Sequence, residues 1–325
     1  MLQLIKRFVS VNIVKLLANW YCKLTTVMKW NKVVSKLVSL ATGVRQGGVL
    51  SPALFSVYID DLLTLLNNCK LGCFIKGNCA NSFVYADDII LLAISVQHLQ
   101  TLVNLCRDFL ERNDLSLNSA KCKCLRIGLR NRMFCKCIRL GMTDLEWVEE
   151  IKYLGVFIER AKVFRCNYSE SRKKFFRSFN CIFGRVGKSV VNVVTSLLST
   201  QCVPVLLYGS EAVRLNVYER NRLCNSYDRA FMKIFATTDI SVIRLCQYYL
   251  GVLPLDYQLD LRKFNFLLNR KPNQDRNMTL SGKNQIFANE VCELDDLFTK
   301  YGVVNVNSFR VITKQTIWTF WSICL

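Results

Sequence analysis

Residues 81–96 read NSFVYADDIILLAISV, and two adjacent carboxylates set among apolar residues leave this stretch few ways to fold. Phe83 to Tyr85 on one side and Ile89 to Ala93 on the other have the length of buried strands. Whatever buries those runs must bring the acids to the edge of a core. The spacing therefore predicts a β-hairpin over 83–93 with Asp87 and Asp88 at its turn, where both carboxylates can point into a cleft instead of alternating across a sheet.

A second pair, Asp60 and Asp61 in YIDDLL, has the same outline but a different period. Ser51 and Pro52 read as a helix start, an N-cap followed by a residue whose missing N–H costs nothing in the first turn. Leu54, Phe55, Tyr58, Leu62 and Leu66 then recur at helical spacing, so Asp60 and Asp61 are expected on a helix with one solvated face. Only Asp87 and Asp88 are placed for chemistry.

With 325 residues, 51% of them hydrophobic, the chain can build a sizeable core in two domains or one large one. Its 44 Lys and Arg against 24 Asp and Glu give a net charge of +20, which in a globular chain implies a surface for a polyanion. The excess lies in blocks. Residues 1–59 hold eight basic residues and no acid; residues 121–139 hold Lys121, Lys123, Arg126, Arg130, Arg132, Lys136 and Arg139, again with no acid. Residues 160–188 hold nine, Arg172, Lys173 and Lys174 among them, against Glu170 alone. Such blocks repel themselves unless an anion answers them, so nucleic acid is the expected partner of these residues.

Sixteen cysteines would signal disulfides in a secreted chain, but the opening MLQLIKRFVSVNIVKLLANWY has no clean apolar core or small-residue cleavage site. Reduced thiols in the nucleus or cytoplasm are expected. The pairs Cys122-x-Cys124 and Cys135-x-Cys137 are spaced more tightly than structural zinc ligands prefer, and small buried residues on neighbouring strands are the plainer reading. His98 is the single histidine and no motif surrounds it, which argues against serine or cysteine triads. Residues 189–210 carry no charge and are long enough to span a bilayer. Asn192, Thr195, Ser196, Ser199, Thr200, Gln201 and Pro204 lower their hydrophobicity, so a buried helix and a Pro-broken second segment are expected, with no membrane partner.

Along the chain the pattern is α+β. Helical spacing opens it, MKWNKVVSKLVSLATG reads as a hairpin, and residues 95–113 form an amphipathic helix ending near Asn113. Basic strands follow over 121–140, and Tyr153-Leu154-Gly155-Val156 reads as a strand with a glycine where another backbone approaches. Residues 165–268 are mostly helical in pattern. Lys271-Pro272-Asn273-Gln274-Asp275 begins a linker, and the signals beyond about 286 are weak.

Adjacent carboxylates on a turn suit Mg2+, with Mn2+ as an alternative, because Mg2+ takes few protein oxygens and leaves positions for water and substrate phosphates. Phosphoryl transfer is the chemistry this suggests, and two such ions need a further carboxylate from another strand. In the loop TGVRQGGVLSP, Gly43, Gly47 and Gly48 let backbone approach a ligand closely. Arg45 there offers a bidentate fork to phosphate, and Gln46 can bond a base or sugar. An ordinary turn before a helix would look the same.

Taken in order, GVRQGGVLSPALFSVYIDDL, FVYADDIILLA, LSLNSAKCKCLRIG and IKYLGVFI closely resemble the reverse transcriptase domain of non-LTR (LINE-type) retrotransposons, over about residues 15–160. KSVVNVVTSLLSTQCVPVLLYGSEA resembles the segment that follows in those elements. The resemblance implies a partial right-hand polymerase palm in residues 1–160, an antiparallel sheet with packed helices. A helical thumb over 161–270 and a linker and tail over 271–325 follow. It implies an RNA-directed DNA polymerase whose partners are an RNA template, a DNA primer and deoxynucleoside triphosphates. Asp87 and Asp88 match the metal-binding carboxylates. Arg45, Gln46 and Gly47 match the loop along the incoming nucleotide and template, Lys121 a lysine near the leaving pyrophosphate, and Tyr153, Leu154 and Gly155 the turn that grips the primer end.

One departure stands out. The family carries another metal-binding aspartate upstream of the glycine loop, whereas Asp60 is the first acid here, so an amino-terminally truncated domain is expected. Leu115 also stands where a glycine is common. The alternative expectation is a non-catalytic basic remnant that binds RNA or DNA without turnover.

Overall fold

A computed structural model describes residues 2–40, 43, 47–75, 77–187, 190–270, 283–301, 317 and 321. The architecture is α+β, with short strands and about half the chain helical. In chain order the first elements are α1 (Leu2–Lys6), α2 (Val11–Tyr21), β1 (Thr25–Thr26), β2 (Lys29–Trp30), β3 (Val33–Val34), β4 (Val38–Ser39) and α3 (Ser51–Asn68). Next come β5 (Cys73–Ile75), β6 (Asn78–Ala80), β7 (Ser82–Tyr85), β8 (Asp88–Leu91), α4 (Val96–Arg112), β9 (Lys123–Cys124), β10 (Ile138–Leu140) and β11 (Thr143–Trp147). The remainder is β12 (Glu150–Tyr153), β13 (Val156–Glu159), β14 (Cys166–Asn167), α5 (Ser169–Val186), α6 (Val191–Leu197), a π-turn (Leu198–Cys202), α7 (Val203–Leu206), α8 (Val217–Phe235), α9 (Ile240–Tyr249), α10 (Leu255–Arg270) and α11 (Lys283–Lys300). Packing divides the chain into two compact units that interleave in sequence: residues 1–122 with 135–145, and residues 123–134 with 146–325.

In the first unit, Ile59, Leu62 and Leu66 of α3 pack against Leu102, Cys106 and Leu110 of α4. The amphipathic spacing of both helices puts these residues on one face each. Strands β7 and β8 lay Val84, Ile89 and Leu91 on that core. A smaller cluster joins Leu4, Val14 and Leu17 of α1 and α2 to Leu54 and Val57 of α3. Helix α4 starts where its sequence indicates, with Ser95 Oγ accepting from the His98 N–H at 3.2 Å. Helix α3 differs by one residue: Leu50 takes the N-cap position, Ser51 is already helical, and no side chain caps the end. Pro52 still falls in the first turn, where its missing N–H leaves no bond unmade.

The stretch 121–140 is less extended than its basic alternation suggests. Only its ends are strands, β9 and β10, and turns occupy the middle. Asn131 explains part of this, since its backbone N–H and its side-chain amide both donate to the Gly128 carbonyl, at 3.1 and 2.7 Å. A ladder bond is replaced by a local one.

In the second unit, β12, β13 and β14 form an antiparallel sheet in that order. Phe175 and Phe179 of α5, Leu198, Cys202 and Leu206 of the 191–206 segment, and Leu223, Tyr227 and Phe231 of α8 fill one core. The uncharged stretch is thus a core helix, and the π-turn lies directly before Pro204. A proline within a helix clashes with the carbonyl four residues back, and a widened turn relieves that clash. No helix among the described residues is long and apolar enough to cross a membrane. Beyond residue 283, where the sequence signals are weak, the chain forms α11. Leu294, Tyr301, Ile317 and Trp321 pack there against Leu253, Phe264 and Leu267. The linker cluster 271–275 lies outside the described residues.

Candidate functional site

The expected hairpin forms. Strands β7 and β8 pair antiparallel with Val84 opposite Ile89 and Tyr85 opposite Asp88, so Ala86 and Asp87 make a two-residue turn and Asp88 opens the returning strand. Ala86 sits at φ 52°, a left-handed conformation that favours the tight turn but costs a residue with a Cβ about 1 kcal/mol. Val84 and Ile89 face the α3–α4 core, while Phe83 and Tyr85 on the other face are 53% and 63% exposed. The base of the hairpin is tied down by Asn81, a fully buried amide. Its Nδ2 donates to the carbonyls of Leu66 and Leu71 at 2.5 and 3.0 Å, the first of them left over at the end of α3. Gly72 leans so closely on Asn81 that a Cβ would lie 2.4 Å from the Asn81 Cβ. Neither Asn81 nor Gly72 belongs to a recognisable motif.

Asp87 and Asp88 are both exposed, and neither side chain makes an ion pair or hydrogen bond with a described residue. The other pair differs. Arg7 Nη2 lies 2.7 Å from Asp60 and 3.1 Å from Asp61, and Gln3 Nε2 donates to Asp61 at 2.5 Å. The hydrogen bond to Asp60, against a smaller cost of burial, holds the Arg7 guanidinium above its ordinary pKa. One aspartate pair is therefore already engaged by Arg7 within the fold, and the other has no cation among the described residues. Two hard, solvent-facing oxygen donors fit Mg2+ or Mn2+, which complete their shells with water and phosphate. Among the described residues no group of three or more His, Cys, Asp or Glu could hold a metal ion.

Lys121 is exposed at the end of a turn organised by Asn118. The Asn118 carbonyl accepts from the Lys121 and Cys122 N–H groups at 3.0 and 3.1 Å, and its side chain accepts from Ala120 at 3.1 Å. Gly47 adopts φ 77° with open space around its Cα, whereas Arg45 and Gln46 lie outside the described residues.

The segment 153–156 corrects the strand reading. Tyr153 pairs with Val156, and Leu154 and Gly155 form the hairpin turn between β12 and β13, at φ 46° and 85°. The close neighbour of Gly155 is a side chain, not a backbone: a Cβ there would lie 3.1 Å from the Tyr208 ring. The Tyr208 hydroxyl donates to the Leu154 carbonyl at 3.0 Å and braces the turn. No sequence pattern marks Tyr208 as part of it.

On α5 the three basic neighbours separate. Arg172 turns inward and its Nε donates to Ser226 Oγ at 2.8 Å. Burial, and then the charges of Arg222 and Arg229, lower its pKa. Lys173 is exposed and pairs with Glu170 at 2.6 Å. Lys174 and Arg177 are exposed and pair with no described residue. The three residues thus have different surroundings, because α8 packs against the Arg172 side of the helix.

Residues 3–158 match the family model described as reverse transcriptase (RNA-dependent DNA polymerase). The chain is 33% identical over 140 residues, 40% of its length, to the retrovirus-related Pol polyprotein from the type-2 retrotransposable element R2DM of Drosophila melanogaster. It is 32% identical over 141 residues, 41% of its length, to the corresponding polyprotein from the type-1 element R2 of Popillia japonica. A transposon TX1 uncharacterized 149 kDa protein of Xenopus laevis is 26% identical over 175 residues, 53% of the chain. These matches span 13%, 23% and 13% of those three proteins' own lengths.

Proposed function

We propose, on the premise that residues 3–158 belong to the reverse transcriptase family and form a domain of the R2-type non-LTR retrotransposon kind, that Asp87 and Asp88 hold the divalent cation of RNA-templated DNA synthesis. In that reaction a primer 3′-hydroxyl attacks the α-phosphorus of a deoxynucleoside triphosphate, the bond to the β-phosphate breaks, and pyrophosphate leaves. A bound Mg2+ or Mn2+ would neutralise the charge that develops on the transferring phosphate. The protein's own part is positional. The hairpin presents two carboxylates that no described cation pairs with, and Lys121 offers a charge suited to pyrophosphate. Arg45, Gln46 and Gly47 suit the nucleotide and template, and the Tyr153-Leu154-Gly155 turn suits the primer end. Lys173 and Lys174, with Arg172 behind them, line the nucleic-acid backbone. Residues 1–160 then act as palm, 161–270 as a thumb-like domain, and 271–325 as linker and tail.

The observation that carries this reading is the exposed aspartate pair at the hairpin end, Asp87 in the turn and Asp88 opening the returning strand, its side chains unpaired among the described residues in a chain of net charge +20. In so basic a chain, acids that no Lys or Arg neutralises mark a place for a cation from outside. Two carboxylates suffice for one ion. Placing two ions needs a third acid facing them, and residues 1–59 contain none. Primer extension on an RNA template by this chain alone is therefore expected to be weak or absent. Mn2+ titration should show a site that Asp87→Asn abolishes. Robust extension that the same substitution removes would refute the reasoning on the third acid. Nucleic-acid binding with no Mn2+ site, unchanged by Asp87→Asn, would instead establish a non-catalytic binding remnant.

A further inference from the structure

Strands β1 to β4 form one projecting hairpin. Thr25 pairs with Ser39 and Thr26 with Val38, then Lys29 with Val34 and Trp30 with Val33, and the Asn31–Lys32 turn closes it with Asn31 at φ 53°. Every residue from Thr25 to Leu40 is exposed. Trp30 is 82% exposed, Met28 71%, Val33 73% and Leu37 74%. A two-stranded ribbon in which no described residue buries either face is marginal in water, and apolar side chains gathered in the open mark an interaction surface. Lys23, Lys29, Lys32 and Lys36 surround them, all exposed and paired with no described residue, in a stretch where residues 1–59 contain no acid.

We infer that this hairpin docks single-stranded nucleic acid, with Trp30 stacking on a base and the lysines contacting phosphates. The inference rests on the reading above and adds a strand contact remote in sequence from the acidic turn. Charge decides between candidate occupants. A second copy of the hairpin would bring like-charged lysines together. A lipid surface would cover only the face that carries Trp30 and Val33 and would leave Lys29 and exposed Val34, on the other face, without a partner, whereas a flexible strand can follow both faces. A single strand needs only one exposed ring near a turn and cations within reach of the backbone, which is what the hairpin presents.

The test is fluorescence anisotropy of the full chain with a labelled oligouridylate at several salt concentrations. Trp30→Ala should weaken binding by about 5- to 100-fold with no change in the salt slope, and Trp30→Phe should retain most of the affinity. Lys29→Ala with Lys32→Ala should flatten the slope of log K against log salt by about 1.4, at about 0.7 per phosphate contact. Circular dichroism and Tm should stay as in the wild type, because the hairpin buries almost nothing. Wild-type affinity and slope in these variants would overturn the inference while leaving the proposed function standing, provided that Lys174→Ala still changes the slope. Failure of the wild-type chain to bind the oligonucleotide would overturn both. Trp30-dependent binding to phosphatidylserine vesicles, or Trp30-dependent dimerisation in sedimentation, without an effect on oligonucleotide binding, would also overturn it.

Discussion

Alanine substitutions along α5 should separate residues that the sequence presents as equivalent. Each phosphate neutralised contributes about −0.9 to the slope of log K against log salt for a duplex. Lys174 and Arg177, exposed and unpaired among the described residues, should each account for about one such contact. Replacing both flattens the slope by about 1.8, so between 50 and 200 mM salt the variant loses about 12-fold less affinity than the wild type. Lys173 is already engaged by Glu170 at 2.6 Å, in an exposed pair that salt screens. Lys173→Ala should thus flatten the slope by less. Arg172→Ala should leave the slope alone and instead cost about 1–2 kcal/mol of stability, from the lost bond to Ser226 and the packing of its stem. The assay is binding of a labelled RNA–DNA hybrid across a salt series, paired with urea denaturation of each variant. A slope change for Arg172→Ala equal to that for Lys174→Ala would refute this division of roles.

Three further expectations follow from the packing. Ala86→Gly should stabilise the first unit by about 0.5–1 kcal/mol in urea denaturation, since glycine adopts φ 52° without strain; destabilisation would show that the turn relaxes differently. Asn81→Leu should cost about 2–3 kcal/mol and weaken Mn2+ binding, because the Leu66 and Leu71 carbonyls lose their amide donor and keep only the weaker thiol donors of Cys69 and Cys79; an unchanged denaturation midpoint would contradict the anchoring role. In the second unit, Arg220 bonds Asp256 and Asp260, with Lys300 and Tyr301 also on Asp260 at 2.6 and 2.7 Å, so Arg220→Met should cost about 3 kcal/mol by leaving buried Asp260 underpaired. Burial alone would raise the Asp256 pKa, but Arg220 and then Lys300 hold it below the ordinary carboxylate value. Its contribution to stability is therefore present above the unfolded value of about 4 and lost as pH falls through the folded one; a pH titration of Tm unaffected by Asp256→Asn would count against it.

Much of the local order was written in the sequence, where side-chain period acts between near neighbours, though the turns at 128–131 and 154–155 were not. The apolar runs around Asp87 and Asp88 specified a hairpin, the helical spacing through Leu54 and Leu66 carried Asp60 and Asp61 onto α3, and Ser95 marked the start of α4. Weak signals hid α11, where Leu294 and the residues after it pack with Leu253, Phe264 and Leu267, far along the chain rather than within a few residues. What the tertiary structure alone decided is which charges are already answered. Arg7 pairs with Asp60 and Asp61 from more than fifty residues away, Ser226 captures Arg172, and Tyr208 braces the Leu154–Gly155 turn, each across a separation of 53 or 54 positions. Period depends on which face of a strand or helix a residue occupies, and the next few residues settle that. Whether a charge or a glycine is free depends on which distant element packs against it, and only the folded chain brings that element near.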